Sequence, residues 1–151
     1  GCGKGTQSEK IVAKYGFEEM ISDRGRVPHK EAIKMLQEAD ILLLLTWNTY
    51  MDRGILPGKL YEYMMVKKPI ICITAGEIPN GEAEGMIKDM NLGVAVNYCD
   101  YSEGVNELAE FLSKQIERKK NGEPLIFDPV TEEVEKFDYD NLVNKLSKIM
   151  F

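Results

Sequence analysis

Histidine occurs once in this chain, as His29, and cysteine three times, as Cys2, Cys72 and Cys99, with no C-x-x-C spacing. Ligands so few and so scattered indicate neither a zinc site nor a disulfide framework, and no acidic cluster stands in for them. Long apolar runs are missing as well. The longest, ILLLL at 41–45, is far short of the roughly 20 residues that a membrane-spanning helix needs. No N-terminal stretch reads as a signal peptide. Excess positive charge is also absent: the formal net charge is −6, which argues against nucleic acid or an anionic membrane as the main partner. A cytoplasmic protein fits these absences best.

The 151 residues are 44% hydrophobic and 29% charged, enough to bury one core and too apolar for disorder. Helical and strand patterns alternate along them. Thr6–Tyr15 reads as a helix with Ile11 and Val12 inward, followed by a weak strand around Phe17–Ile21. PHKEAIKMLQEAD has Ala32, Ile33, Met35, Leu36 and Ala39 at helical spacing, and DILLLLT reads as a strand buried on both faces. GKLYEYMMVKK predicts a short helix with Leu60, Tyr63 and Met64 inward, and PIICIT a second buried strand. GEAEGMIKDMN puts Ala83, Met86, Ile87 and Met90 on one helical face, with Glu84 expected in solvent, and LGVAV is a third strand. Ser102 is the expected N-cap of a long helix with Val105, Leu108, Ala109, Leu112 and Ile116 inward, ending in solvent at the basic run Arg118–Lys120. Residues 125–151 read as an irregular extension and a last helix, capped by Asp138, with Tyr139, Val143, Leu146 and Met150 on one stripe.

Strand–helix alternation of this kind predicts an α/β fold: a doubly wound, Rossmann-like parallel sheet whose ligands bind beyond the carboxyl ends of the strands. No internal repeat and no long linker divide the chain, so 1–151 reads as a single domain. Two loops fall at the binding edge, RGRVPH and TWNTYMDRGILPG. The Gly-rich turn GCGKG normally follows a first strand, and none precedes it here. The chain is therefore expected to be a fragment or one domain of a longer protein.

The ordered pieces GRVPHKEA, ADILLLLT, PGKLYEYMMVKKPII and NLGVAV resemble the C-terminal, donor-binding domain of GT-B glycosyltransferases, most closely the retaining group that builds bacterial capsule and surface polysaccharides. The likeness covers nearly the whole chain, and PGKLYEYMMVKKPII is its most specific part. It implies an enzyme that moves a sugar from a nucleoside diphosphate sugar to a glycan or lipid-linked acceptor. The isolated chain would be inactive without its N-terminal acceptor domain, and the full-length enzyme cytoplasmic or peripheral at the inner membrane face. It implies no metal or other cofactor. Membrane contact would come only through the other domain or the acceptor.

The resemblance also assigns residues. Gly58, Lys59 and Leu60 would form the helix mouth at the diphosphate, and Glu62 would accept the ribose hydroxyls, since an ionised carboxylate suits a vicinal diol. Arg26 and Val27 would lie in the base-contacting loop, Gly3 in a phosphate-facing turn with Gly1 and Gly5, and Trp47, with Tyr50, at the sugar. Relatives carry a first glutamate that falls at Gly54, which has no side chain, and Asp52 is out of register. Plainer readings stand beside these: Glu62 as a surface carboxylate, Gly58–Lys59 as simple helix initiation, GRVP as a tight turn, and His29 as a helix-start residue. Cys72 reads as core. The alternatives in function are a sugar-nucleotide epimerase of the same architecture and a non-catalytic binding module.

Overall fold

The computed structural model describes Lys14, Gly16 and residues 20–150. Most of the expected helix Thr6–Tyr15, the Gly-rich turn with Gly3, and most of the weak strand at Phe17–Ile21 lie outside the described residues; Lys14, the described residue of the first, is helical. The described end of that stretch is not a strand: Met20 sits in a 3-10 turn and Ile21 is irregular. The chain divides into two compact units, 1–32 and 33–151. In the first, Asp23 Oδ1 accepts from the Gly25 N–H at 2.7 Å. The Pro28 carbonyl then accepts from Glu31 and Ala32, both at 3.0 Å, opening helix α1 (His29–Glu38). The proline supplies a preset φ where no helical N–H partner is needed. Leu36 of α1 and Ala39 just after it pack against the core of the second unit, to which they belong.

The second unit runs β1 (Leu42–Trp47), α2 (Gly58–Val66), β2 (Ile70–Ala75), α3 (Glu82–Asp89), β3 (Gly93–Asn97), a 3-10 turn (Tyr98–Asp100), α4 (Tyr101–Lys120), α5 (Thr131–Glu135) and α6 (Tyr139–Met150). The strands form one open parallel sheet in the order β1-β2-β3, with Leu42 opposite Ile70 and Ile70 opposite Gly93. This is an α/β architecture of the Rossmann-like kind, in which helical crossovers return each strand to the same direction. One face carries Leu42, Leu44, Ile70, Cys72 and Ala95 under Leu60, Met64 and Ile87 of α2 and α3. The other carries Ile71, Val94 and Val96 under Leu108, Phe111 and Leu112 of α4.

β2 and β3 are buried on both faces, as their apolar runs predict. β1 is not. It alternates, with Leu43, Leu45 and Trp47 exposed at 52%, 64% and 49%. An unbroken leucine run hides this period of two, because both faces read as apolar.

Helix α2 buries Leu60, Tyr63 and Met64 as its spacing requires. It stops at Lys67, which takes the left-handed conformation (φ 55°), and Pro69 cannot extend a helix. In α3, Ala83 and Ile87 are buried as expected, but so is Glu84, at 3% exposure, which corrects its placement in solvent. Helix α4 begins at Tyr101, so Ser102 is not its N-cap, and Ala109 and Ile116 face out while Phe111 and Gln115 face in. Buried Gln115 clamps the segment that follows: its Nε2 donates to the Ile126 carbonyl and its Oε1 accepts from the Ile126 N–H, both at 2.8 Å. Lys119 pairs with Asp40. Asn91 donates to the Asp128 carbonyl at 2.6 Å, and Phe127, Val134 and Phe137 join the core beside α2. Among the described residues no helix is long and apolar enough to cross a membrane.

Candidate functional site

Three parallel strands end side by side, at Trp47, Ala75 and Asn97, and their following loops are tied together. Asn48 is the knot. Its N–H donates to the Ala75 carbonyl at 2.8 Å, its side-chain amide donates to the Ile78 carbonyl at 3.0 Å, and its own carbonyl accepts from the Ile78 N–H at 3.3 Å. Gly76 makes this possible. At φ 117° it is in a conformation that L side chains rarely adopt, and a Cβ there would stand 2.2 Å from the Asn48 carbonyl oxygen. Asn97, at the end of β3, donates to Glu84 Oε1 at 2.7 Å and accepts from the Cys99 N–H at 2.8 Å. Glu84 is therefore a buried carboxylate held by a buried amide, which orients the start of α3.

Two helix starts open onto this edge, and they differ in charge. α2 begins after Pro57 with no side-chain cap and no acid in its first turn. Gly58 and Lys59 are exposed there. Leu60 is wholly buried, and its N–H is taken by the Pro57 carbonyl at 2.9 Å, so its side chain anchors the mouth from below. Glu62 follows one turn on and is half-buried. Burial, and secondarily the charge of Glu62, hold the Tyr63 phenol above its ordinary range. α3, by contrast, begins at Gly81 with Glu82 and Glu84 both in its first turn.

Gly58, Lys59, Leu60 and Glu62 thus stand together on α2, and Trp47 ends the neighbouring strand, half-exposed, on the opposite face of β1 from Thr46. Tyr50 is exposed, with the Arg53 guanidinium 5.4 Å over its ring. Arg26, exposed, and Val27, half-buried, belong to the 1–32 unit. Gly3 lies outside the described residues. Among the described residues no group of three or more metal-ligating side chains converges. The roomier hollows lie away from this edge: one of about 460 Å³ between α2 and α5, one of about 440 Å³ around Lys67–Pro69 and residues 122–125, and one of about 320 Å³ against α4 and residues 126–128. None gathers the polar groups that meet at the strand ends.

Sequence reasoning missed Thr46, Asn48, Glu82, Glu84 and Asn97. A signal was present for two of them. β1 is followed by Asn48, three residues past the end of its leucine run, and β3 closes on Asn97, directly after an apolar run. Such residues fall at the binding edge of a parallel sheet.

Fold and site together define an open parallel α/β domain with an uncapped helix mouth at its carboxyl edge. No family model, curated protein or solved structure matches the chain.

Proposed function

We propose that the chain is the donor-binding domain of a GT-B glycosyltransferase, in which the start of α2 receives the diphosphate of a nucleoside diphosphate sugar. The observation that carries this reading is the contrast between the two helix starts. Backbone N–H groups at an uncapped helix start, with the positive end of the helix dipole behind them, favour an anion. α2 offers this with exposed Gly58 and Lys59 and no acid in its first turn, whereas α3 carries two carboxylates there.

In the catalytic step the helix start would stabilise charge growing on the departing diphosphate as the glycosidic bond breaks. Gly58 admits the phosphate close to the backbone, Lys59 adds a mobile cation, and Glu62 accepts the ribose hydroxyls. The acceptor side of the cleft would come from the partner domain of this architecture. Amide chemical-shift mapping with UDP, GDP, ADP and dTDP tests the reading. One nucleotide should shift the Gly58, Lys59 and Glu62 amides while leaving Gln115 unmoved, and inorganic diphosphate should shift Gly58 and Lys59 alone. An absence of shifts at the α2 start with all four at millimolar concentration would overturn it.

A further inference from the structure

We propose that the chain pairs with a second copy of itself, each copy laying its last helix, α6, in a methionine-lined groove of the other.

The groove is the hollow of about 460 Å³ between α2 and α5. Its apolar walls are Tyr61, Met64, Met65, Val134 and Phe137, with the Tyr61 and Phe137 ring centroids 5.7 Å apart. Met64 is buried in the core, whereas Met65 stands 74% exposed. An unbranched thioether beside a concave apolar surface can repack around the side chains of an incoming helix. The chain's own α6 forms one wall of this space and so does not fill it. Asn141, in its first turn, lines the hollow and donates to the Glu135 carbonyl at 2.8 Å, which ties the start of α6 to the rim.

Charge says what fits there. Among the described residues that line the groove, Lys67 is the one cation, and Glu135 and Asp138 are the acids. The wall from Thr131 to Asp140 holds five acids and one lysine, and that lysine, Lys136, is paired with Glu133. Such a rim repels an anionic surface and favours an amphipathic segment that is basic over most of its length.

α6 is such a segment. Its sequence sets Tyr139, Val143, Leu146 and Met150 on one stripe, and Val143 is 43% exposed. Asp140 is its one acid; beyond it come Lys145 and Lys148, both exposed. In the pair, Lys145 and Lys148 meet Glu135 and Asp138 of the other copy, and Asp140 meets its Lys67. The odd charge of the groove is thereby matched by the odd charge of the helix. The exchange is reciprocal, so it closes on a two-fold axis and leaves neither groove nor helix unpaired. Lys67 follows the last residue of α2, whereas the anion mouth opens at Gly58, its first, so pairing leaves that mouth free.

Sedimentation equilibrium of the 151-residue chain, from low micromolar to near-millimolar concentration, tests the pairing. The mass should rise with concentration from 17.1 kDa to twice that value. Met65→Glu and Val143→Asp, both at exposed positions, should each weaken the dimer by roughly tenfold or more, because each carries a charge into an apolar contact. Lys145→Glu with Lys148→Glu, and separately Glu135→Lys with Asp138→Lys, should also dissociate it. A chain carrying all four charge changes should pair again. A monomer at every concentration would overturn the proposal and leave the groove to a different partner. A dimer that keeps its affinity in Met65→Glu or in Val143→Asp would overturn it too, since the copies would then meet elsewhere. Failure of the chain with all four changes to pair again would refute the charge matching and, with it, the place of α6 in the groove.

Discussion

Replacing Asn97 by alanine removes one side chain and orphans two groups. The Glu84 carboxylate, 3% exposed, loses its 2.7 Å donor, and the Cys99 N–H loses its acceptor at 2.8 Å. A hydrogen bond to a charged group contributes about 1.5–3 kcal/mol and a neutral one about 0.5–1.5 kcal/mol. The expected destabilisation is therefore about 2–4.5 kcal/mol, which lowers the melting temperature by on the order of 10 °C for a chain of this size. The informative form of the experiment is a double-mutant cycle with Glu84→Met. That substitution removes the carboxylate and fills its place with an unbranched apolar side chain. Once the carboxylate is gone, losing Asn97 costs less, so the double variant should be more stable than the sum of the single losses implies, by about 1.5 kcal/mol or more. Urea unfolding followed by circular dichroism gives all four free energies. Additivity within about 0.5 kcal/mol would show that the two side chains do not act on each other, and would refute this account of how the start of α3 is held.

Burial raises the Cys72 thiol to about 11, with the Thr74 hydrogen bond opposing and the Glu84 charge adding to it. It should therefore resist iodoacetamide at neutral pH in the folded chain while exposed Cys99 is alkylated, as site-resolved mass spectrometry would show. Because the folded thiol titrates above its ordinary value of 9.0, its contribution to stability is complete below that pH and is lost as pH rises through about 11. A Cys72→Ala variant should lack this part of the alkaline loss; Tyr63, raised in the same sense, retains its own. Gly76→Ala should destabilise by about 3 kcal/mol or more, because it adds a strained positive φ to a clash with the Asn48 backbone, and hydrogen exchange should show the loops after β1 and β2 loosening together.

The elements of the second unit were legible because their local signals agree. Apolar runs gave three strands, and helical spacing gave the buried faces of α2 and α3. What stayed hidden depends on partners distant in sequence. Gln115 is inward because the Ile126 backbone, eleven residues on, satisfies both ends of its amide. Glu84 is inward because Asn97 meets it from the next strand. A spacing rule assigns both to solvent, since it counts apolar residues and cannot see a polar partner. At the candidate site, the α2 mouth was legible as Pro57 and Gly58 ahead of an amphipathic run. The approach of the Glu82 carboxylate to Gly54 was not, because it brings the start of α3 to the loop ahead of α2.

The most direct test of a nucleotide site at α2 is the affinity of Glu62→Gln for the nucleoside diphosphate that shifts the α2 amides. The substitution keeps the shape and removes the charge of a half-buried carboxylate. Glu117→Gln, on an exposed position of α4, serves as the control. A charged hydrogen bond of about 1.5–3 kcal/mol predicts binding weaker by roughly ten- to a hundredfold in Glu62→Gln and unchanged in the control. Equal affinity of Glu62→Gln and wild type, measured by calorimetric titration, would contradict the ribose role and return Glu62 to the status of a surface helix carboxylate.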